Sequence, residues 1–487
     1  MRKTSLKRPP NVIVIMTDQH RADLMSCAGR DLVPTPNIDR IAARGVRFTN
    51  AYCPYPACLG SRSALLTGLY AHTTGAINNN DRLDWRFRTI AHHFADCGYL
   101  TGLVGKMHFN DGHNHGFEYY LSINDWLMYL GPKVAVYANE IASNPLTTHF
   151  YRTVQDDGSG FPDVADLWDG PSPWVGNVDY SDFSSMASKL DARDHLDAFI
   201  ARDTCRFLQQ HREQPFFLVC SFMKPHAPFF PPKEWADAYP VDAETLQGVE
   251  NLAQYPDYLQ DRISKSLSLD ARLRRAHQAG YHGNLGFVDS CVGQVCDALD
   301  RLKLWDDTIV VYTSDHGEMD GDHGMYQKFL LFDPAVKVPL IICHKGQIPA
   351  GEVSDALIEQ LGLYPTLVDL AGMPQPQGTA LAPFPEAPER MDGASFAKIV
   401  REPGSPGASA VFSEFNLRSH KAQYMIRTGQ YKYVYNENES DELYDLSDDP
   451  GENVNLARTP GMAPVLCELQ EQLRSRYDPV TNPYRPS

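Results

Sequence analysis

Short apolar runs with the character of buried strands alternate along the chain with segments of helical periodicity. The run at 11–16 has the length and composition of a buried strand. Between 281 and 302, apolar residues recur every three or four positions, which is typical of a long amphipathic helix. Alternating strands and helices favour an α/β fold. We therefore expect a large mixed, mostly parallel sheet that is sandwiched by helices.

The length of 487 residues predicts one large domain and a smaller one. We place the α/β domain at 1–372, a proline-rich linker at 373–393 and a smaller α+β domain at 394–487. Residues 110–191 interrupt the first domain, because they are rich in Gly, Pro, Asp, Tyr and Trp and show little periodicity. Such composition is typical of a surface excursion or lid.

The formal net charge of −17 argues against nucleic acid as a partner, because no basic face is easily assembled from this composition. A small anionic substrate needs only a locally positive pocket. The run at 11–16 is too short for the core of a signal peptide, and no apolar run approaches the roughly 20 residues of a membrane span. The ten cysteines show no paired metal-type spacing. We expect a cytoplasmic protein with reduced thiols and no membrane contact.

Polar side chains stand at the ends of four predicted strands. They are Asp18 and Gln19, Lys106 and His108, His226, and the pair Asp315 and His316. Open α/β sheets place their functional groups in the crevice at the carboxyl ends of the strands. We therefore expect these four strand ends to converge on one pocket.

The residue types in this pocket predict their chemistry. Carboxylate, amide and imidazole ligands suited to one divalent cation, such as Ca²⁺ or Mn²⁺, come from Asp18, Gln19, Asp315 and His316. Positive charge for an anionic group that undergoes transfer comes from Arg62, Lys106 and Lys328. The candidate proton shuttles are His108 and His226.

Cys58 precedes a short turn, an arginine and an apolar run. This order predicts that Cys58 is a reactive side chain at the N-terminus of a helix. We expect 63–68 to form the first part of that helix, after the turn. At such a terminus the unpaired N–H groups and the helix dipole favour negative charge. Arg62, four residues later, adds a cation whose fork geometry suits an oxyanion.

Six short motifs of the chain form a set. They are Asp18-Gln19, Cys58-x-x-x-Arg62 with Leu66-Thr67-Gly68, Gly105-Lys106-x-His108, Lys224-Pro225-His226, Ser314-Asp315-His316-Gly317-Glu318 and Gly321-Asp322-His323-Gly324. The set resembles the sulfatase family, a branch of the alkaline phosphatase superfamily. Two further stretches are similar to the C-terminal signature of that family: Leu443-Tyr444-Asp445-Leu446, and Asp449-Pro450-Gly451-Glu452 with Asn455-Leu456. The resemblance implies an alkaline-phosphatase-like fold.

The resemblance also implies a modified nucleophile. A formylglycine-generating enzyme would oxidise Cys58 to formylglycine, whose aldehyde hydrates to a gem-diol. One hydroxyl, bound to the metal and lowered in pKa, would attack the sulfur of a sulfate monoester. The second hydroxyl would lose its proton to His108, and the covalent sulfate would be expelled as the aldehyde returns.

Site roles follow from the resemblance position by position. The metal would be held by residue 58 together with Asp18, Gln19, Asp315 and His316. The diol and the sulfate would be steadied by Arg62 and Lys106, and the leaving-group oxygen would face His226 and Lys328. A nonbridging oxygen would be bound by Asn79, or by its neighbour Asn78 or Asn80.

Two positions differ from the common pattern of the family. Gly60 stands where the family usually carries Pro or Ala, and Gln19 stands where many sulfatases have a second aspartate. The Asp-Gln pair is more similar to choline sulfatases and phosphonate monoester hydrolases. With one carboxylate fewer the metal site is less negative, which should ease the approach of a phosphoryl group.

Three functions stay open at this point. A sulfuric ester hydrolase acting on a small-molecule sulfate ester is the leading hypothesis. The alternative is a phosphonate monoester or phosphodiester hydrolase, with or without activity on sulfate esters. A catalytically inactive binding protein of the same fold is the distant third hypothesis.

The organic part of the substrate and the oligomeric state are less constrained. The tryptophans of the excursion, Trp126, Trp168 and Trp174, could cage a quaternary ammonium such as choline, or they could pack the excursion onto the domain. Family members with the Asp-Gln pair make a homo-oligomer a reasonable expectation.

Overall fold

An eight-stranded sheet forms the centre of the larger part of the protein, in a computed structural model that describes residues 8–143, 186–244, 246–249, 251–381 and 387–477. Its strands are Asn11–Asp18 (β1), Val46–Tyr52 (β2), Leu100–Gly105 (β3), Tyr119–Leu121 (β4), Phe216–Pro225 (β5), Thr308–Ser314 (β6), Leu340–Cys343 (β7) and Glu352–Glu359 (β8). Their order in space is β4-β3-β5-β1-β6-β7-β2-β8. Strand β7 runs antiparallel to β6 and β2, and the other neighbours pair in parallel. This arrangement confirms the expected mixed, mostly parallel sheet.

The central strand β1 is buried on both faces, which explains its continuous apolar run. It pairs in parallel with β5 on one side and β6 on the other. Val12 and Val14 pack into the hydrophobic core on one face of the sheet, whereas Ile13 and Ile15 pack into the core on the opposite face. Strands that are covered on both faces need apolar residues at every position.

Helices cover these two cores. The α-helices of the described residues are Pro36–Ala42, Cys58–Thr67, Ala71–Thr74, Ile90–Asp96, Ile123–Leu130, Val134–Ser143, Leu196–His211, Lys233–Ala238, Asp257–Leu267, Ala271–Arg301, Asp333–Val336, Leu363–Leu370, Ala397–Arg401 and Ala463–Arg476. The predicted long helix is Ala271–Arg301, and the side chain of Asp270 caps it by accepting a hydrogen bond from the backbone N–H of Arg272. Among these helices, none is both long and apolar enough to cross a membrane.

A separate antiparallel sheet lies in the C-terminal part of the chain. Its strands are Ala410–Phe415 (β9), Gln423–Thr428 (β10), Tyr431–Asn436 (β11) and Glu442–Asp445 (β12), in the order β12-β11-β10-β9. Lys432 of β11 is buried, and its Nζ lies 2.6 Å from Oδ1 of Asp333 and 2.5 Å from Oε1 of Glu452. The four-stranded sheet and the helix Ala463–Arg476 form the smaller α+β unit that was expected. Its boundary with the linker at 373–393 stays a prediction.

Part of the expected irregular segment 110–191 is regular. It contains β4 and the helices Ile123–Leu130 and Val134–Ser143. Ser122 caps the N-terminus of the first of these helices, and its backbone N–H lies 2.7 Å from Oδ2 of Asp125 in a capping box. The sequence pattern missed this helix because it is only eight residues long, which is too short to show a helical period clearly.

Trp126 packs this segment onto the domain. Its side chain is buried, its ring lies 4.8 Å from that of Tyr137, and its Nε1–H donates to the carbonyl of Asp194 at 2.8 Å. Of the two roles considered for the tryptophans, packing is the one that Trp126 has. Trp168 and Trp174 lie outside the described residues.

Candidate active site

The carboxyl ends of four neighbouring strands meet at one edge of the large sheet. Asp18 ends β1, Lys106 follows β3, His226 follows β5, and Asp315 follows β6. These strands are consecutive in the order β3-β5-β1-β6, and all of them run in parallel. The parallel pairing therefore brings polar groups from distant parts of the chain to one place.

Four of the five predicted metal ligands form one buried cluster. The ligand atoms of Asp18, Cys58, Asp315 and His316 lie within 4.8 Å of one another. Sγ of Cys58 is 3.4 Å from Nε2 of His316 and 3.8 Å from Oδ1 of Asp18. Nδ1 of His316 lies 3.0 Å from the carbonyl oxygen of Gly317, so Nδ1 carries the proton and Nε2 presents its lone pair to the cluster. Two carboxylates, an imidazole nitrogen and the side chain at position 58 fit one divalent cation.

Gln19, the fifth predicted ligand, directs its amide elsewhere. Nζ of Lys328 donates to Oε1 of Gln19 at 2.6 Å, and Nε2 of Gln19 donates to Oε2 of Glu318. All three side chains are buried. Sequence reasoning gave Glu318 no role, and its position at the end of the motif 314–318 was the signal that could have pointed to it.

Arg62 and Lys106 bind the carboxylates of the cluster. Nη2 of Arg62 is 2.9 Å from Oδ2 of Asp18, and its Nε is 2.7 Å from Oδ2 of Asp315. Nζ of Lys106 lies 2.6 Å from the same oxygen of Asp18 and 3.6 Å from Sγ of Cys58. The two cations therefore orient the carboxylates, and Lys106 also faces residue 58.

Cys58 is the first residue of the helix Cys58–Thr67, so its predicted place at a helix N-terminus is confirmed. The prediction that the helix starts with 63–68 was wrong. The backbone N–H of Ser61 already donates to the carbonyl of Ala57 at 3.0 Å, and every residue of the helix is buried. Tertiary packing overrides the weak helix propensity of glycine and serine at the start of this helix.

Gly60 has a packing reason in this structure. A Cβ at this position would lie 2.5 Å from Cδ1 of Tyr55, which is closer than real Cβ contacts come. The Tyr55 ring is fully buried, and its hydroxyl donates to the carbonyl of Ile77 at 2.5 Å. The glycine that departs from the common family pattern therefore leaves space for the ring of Tyr55, whose hydroxyl is fixed by a hydrogen bond.

Asn79 links the helix N-terminus to His108. The side-chain oxygen of Asn79 accepts a hydrogen bond from the backbone N–H of Leu59 at 3.2 Å, and its carbonyl lies 3.0 Å from Nε2 of His108. A carbonyl only accepts, so Nε2 of His108 carries the proton and Nδ1 is the basic nitrogen. Nδ1 is buried and finds no hydrogen-bond partner among the described residues. Among the smaller influences on Cys58, His108 lowers the pKa of the thiol.

His226 presents a neutral ring to the cluster. Its Nδ1 lies 2.7 Å from the carbonyl oxygen of Ala227, and its Nε2 lies 3.9 Å from Oδ1 of Asp18. Burial, followed by the charge of Lys328, lowers the pKa of His226 to about 4. The cation on this side of the site is therefore Lys328 rather than the histidine.

The surroundings of residue 58 favour negative charge. Burial raises the pKa of the Cys58 thiol, but positive charge, chiefly that of Lys106 and Lys328, outweighs burial and lowers that pKa well below its ordinary value. Burial and the nearby sulfur raise the pKa of Asp18, whereas its cationic neighbours lower it by more, so this carboxyl is ionised. The site can thus stabilise an anionic nucleophile and the charge of an oxyanion substrate.

Comparison with known families identifies the class of this protein. The family model described as Sulfatase matches residues 10–373, which is most of the chain. A second model, described as N-sulphoglucosamine sulphohydrolase, C-terminal, matches residues 321–478. The chain belongs to the sulfatase family. The resemblance seen in the motifs is therefore confirmed, and with it the class of sulfuric ester hydrolases.

Individual relatives show which kinds of enzyme this chain is similar to. An arylsulfatase of Clostridium perfringens is 27% identical over 463 residues, which cover 92% of this chain and 90% of the relative. A choline-sulfatase of Rhizobium meliloti is 29% identical over 470 residues, with 93% and 83% covered. The solved structure of a phosphonate monoester hydrolase of Agrobacterium radiobacter is similar with a TM-score of 0.76 and 25% identity, covering 96% of this chain and 95% of that one. Both subgroups expected from the Asp-Gln pair are thus among the similar proteins.

Proposed function

We propose that this protein hydrolyses sulfate monoesters of small molecules, with a formylglycine derived from Cys58 by a formylglycine-generating enzyme. The observation that carries the proposal is the position of Cys58, which opens a helix and lies within a buried cluster of three potential metal ligands. Lys106 and Lys328 surround the same side chain with positive charge. A site of this kind stabilises an anionic nucleophile and a transferring sulfuryl group together.

One divalent cation, Ca²⁺ or Mn²⁺, fits the donor set. Asp18, Asp315 and His316 would hold it together with the side chain at position 58. When bound, it lowers the pKa of a coordinated hydroxyl and stabilises negative charge on the substrate, while the hydrated aldehyde of formylglycine supplies the hydroxyls. Arg62 keeps both carboxylates in place, because its guanidinium contacts each of them.

The other side chains of the site are assigned to proton transfer and to substrate binding. Nδ1 of His108 can accept a proton from residue 58, since its Nε2–H is held by the carbonyl of Asn79. Lys106 lies between Asp18 and position 58, where it can bind a nonbridging oxygen of the substrate. We assign His226 and Lys328 to the side of the site that faces the leaving-group oxygen, with Lys328 supplying the positive charge.

Mass spectrometry of the peptide that ends at Arg62 tests the proposal. Formylglycine makes the peptide lighter than the cysteine form, and the modified fraction should scale with sulfate release from an aryl sulfate across preparations. Cys58→Ala should abolish both signals. Turnover by a preparation that contains unmodified cysteine alone would contradict the mechanism.

Hydrolysis of phosphonate monoesters or phosphodiesters is the second candidate. The observations that favour it are the similarity to the Agrobacterium enzyme and the neutral side chain of Gln19 beside the metal cluster. The ratio of kcat/KM for an aryl sulfate and an aryl phosphonate ester with the same leaving group would decide between them. We expect the sulfate ester to be the better substrate.

A further inference from the structure

Lys432 is a buried cation of the C-terminal sheet, and its side chain reaches the segment 331–336, which lies between β6 and β7. Its Nζ donates to the carbonyl of Leu331 at 3.0 Å and lies 2.6 Å from Oδ1 of Asp333. We propose that Lys432 is a positioning residue, which fixes the segment 331–336 and thereby holds the backbone next to His316. This inference rests on the metal site of the proposed function.

The segment 331–336 contacts the metal-binding motif through its backbone. The carbonyl of Ala335 accepts a hydrogen bond from the N–H of Gly317 at 2.8 Å. The carbonyl of Pro334 accepts one from the N–H of Glu318 at 2.9 Å. The carbonyl of Gly317 in turn lies 3.0 Å from Nδ1 of His316. Because the partner of the second ring nitrogen orients a metal-binding imidazole, the orientation of His316 depends on where the segment holds Gly317.

Gly317 has no room for a side chain on the side of this segment. A Cβ at Gly317 would lie 1.9 Å from the carbonyl oxygen of Pro334, which is far closer than real Cβ contacts come. The two backbones are therefore in direct contact, with no flexible side chain between them. His316 is fully buried beside them. Since a close-packed interior transmits strain, a displacement of the segment would also displace Gly317.

Asp333 is the residue of the segment that binds Lys432. Its Oδ2 accepts a hydrogen bond from the hydroxyl of Tyr52 at 3.1 Å, while its Oδ1 faces Lys432. Burial raises the pKa of Asp333, but positive charge, chiefly that of Lys432, outweighs burial and lowers that pKa to about 2. Asp333 is thus ionised next to an ammonium group that is 0% exposed. Removing one partner of such a buried pair leaves an uncompensated charge, which is strongly destabilising.

Glu452 adds a second contact from the C-terminal part of the chain. It belongs to the signature stretch 449–452, which has no part in the site described above. Its Oε2 accepts from the backbone N–H of Asp333 at 2.6 Å, and its Oε1 lies 2.5 Å from Nζ of Lys432. Burial raises the pKa of Glu452 to about 7. The contacts of Lys432 with Asp333 and Leu331 are present in either ionisation state of Glu452, so the proposal does not require this acid to be charged.

Lys432→Met tests the proposal in the metal-free protein by hydrogen exchange at pH 8. Methionine keeps an unbranched side chain but removes the ammonium group, so the segment 331–336 loses its contact with the C-terminal sheet. We expect the amides of Gly317 and Glu318 to exchange about 10-fold faster relative to the amides of β1, which report global unfolding. An unchanged ratio would overturn the proposal.

Leu473→Ala is the matched control, because it weakens the same sheet from its other face. Leu473 is buried on the helix Ala463–Arg476. On the same helix, the side chain of Gln470 donates to the hydroxyl of Tyr433 at 3.3 Å. Successive side chains of a strand point to opposite faces, so Lys432 faces away from this helix. Leu473→Ala should lower Tm and leave the exchange ratio at that of the wild type, and an equal rise of the ratio would show that Lys432→Met acts only through general destabilisation.

Metal affinity is the second measurement. Titration of metal-free Lys432→Met with Mn²⁺ and, separately, with Ca²⁺ should show about 10-fold weaker binding than the wild type, whereas Leu473→Ala should bind as the wild type does. Faster exchange with unchanged affinity would overturn the role of Lys432 in the metal site. A wild-type protein that binds neither ion would contradict the proposed function, while the exchange ratio tests the contact with Gly317 by itself.

Glu452→Gln gives a milder variant for the same two measurements. At pH 8 the carboxylate of Glu452 can accept from both Lys432 and the N–H of Asp333, but an amide can offer its single oxygen to only one of them. We expect the exchange ratio to rise and the metal affinity to fall, each by less than in Lys432→Met. Values equal to those of the wild type in both variants would overturn the proposal, even if Lys432→Met were recovered in low yield.

Discussion

Arg62 donates from Nε to Oδ2 of Asp315 across 2.7 Å, and neither side chain is exposed to solvent. The same guanidinium reaches Oδ2 of Asp18 at 2.9 Å through Nη2. Its Nη1 donates to the carbonyl of Lys106 at 2.6 Å and to Oγ of Ser221 at 2.9 Å. One arginine therefore joins the ends of β1, β3 and β6 to the middle of β5, and it sets the relative position of two potential metal ligands.

Arg62→Lys should weaken metal binding more than it weakens the fold. Lysine keeps the charge but cannot reach both carboxylates at once, so Asp18 and Asp315 would lose their fixed orientation. We expect about 10- to 100-fold lower metal affinity, as for other residues that orient ligands. Metal titration after chelation measures the effect. Arg40→Lys, at an exposed pair with Asp297 and Asp300, is the matched control and should leave the affinity unchanged.

Gly60→Ala should destabilise the protein even though it restores the common family pattern. The new Cβ would lie 2.5 Å from the ring of Tyr55, so one of the two must shift. We expect a loss of about 1–3 kcal/mol in the free energy of unfolding, as for other overpacked sites. Urea denaturation measures it. Combining Gly60→Ala with Tyr55→Leu should recover part of the lost stability. Gly461→Ala is the control and should be nearly neutral, because a Cβ at that position has no atom within 4 Å.

His282 should make stability fall at alkaline pH. It is buried between Oε1 of Glu244 at 3.0 Å and Oδ2 of Asp320 at 2.9 Å. Burial lowers its pKa, but Asp320 and Glu244 outweigh burial and raise the pKa from 6.5 to about 9. The folded state therefore binds this proton more tightly than the unfolded state does. The resulting stability, about 3 kcal/mol, is complete below pH 6.5 and is lost as the pH rises through 9.

Denaturant titrations across this pH range measure that contribution. His282→Gln should remove most of the slope between pH 6.5 and 9, because glutamine does not titrate there. His420→Gln, at an exposed position, should retain the slope of the wild type. A slope that is equally steep in His282→Gln would show that another group is responsible.

His108→Ala should lower kcat with little change in KM. The basic nitrogen of His108 is assigned to a proton at residue 58, whereas substrate charge is met by Lys106 and Lys328. We expect kcat to fall about 10²- to 10⁴-fold, as for the loss of other proton-transfer groups. Steady-state kinetics with an aryl sulfate measures both constants. His113→Ala, at an exposed position of the same segment, is the control and should change neither constant. If His108→Ala instead raises KM and leaves kcat unchanged, His108 acts in substrate binding and not in proton transfer.

Much of the fold could be predicted because local pattern and tertiary environment agree. The continuous apolar run of β1 and the regular spacing in the helix Ala271–Arg301 each correspond to one buried arrangement. Strand β8 was missed, since three of its first four residues are polar and most of that half is exposed. The start of the helix at Cys58 was also missed, because Gly60 and Ser61 have low intrinsic preference for helix.

By itself, the sequence determined which polar residues stand at the ends of the strands. Those residue types were enough to predict a metal site that binds an anionic ester. Parallel neighbouring strands must present their carboxyl ends together, so the convergence of Asp18, Lys106, His226 and Asp315 followed from chain order and apolar pattern. Only the tertiary structure decided how those groups are paired. The direction of the Gln19 amide and the contact of Gly60 with Tyr55 depend on buried partners that are distant in sequence. Such contacts leave no periodic signal along the chain.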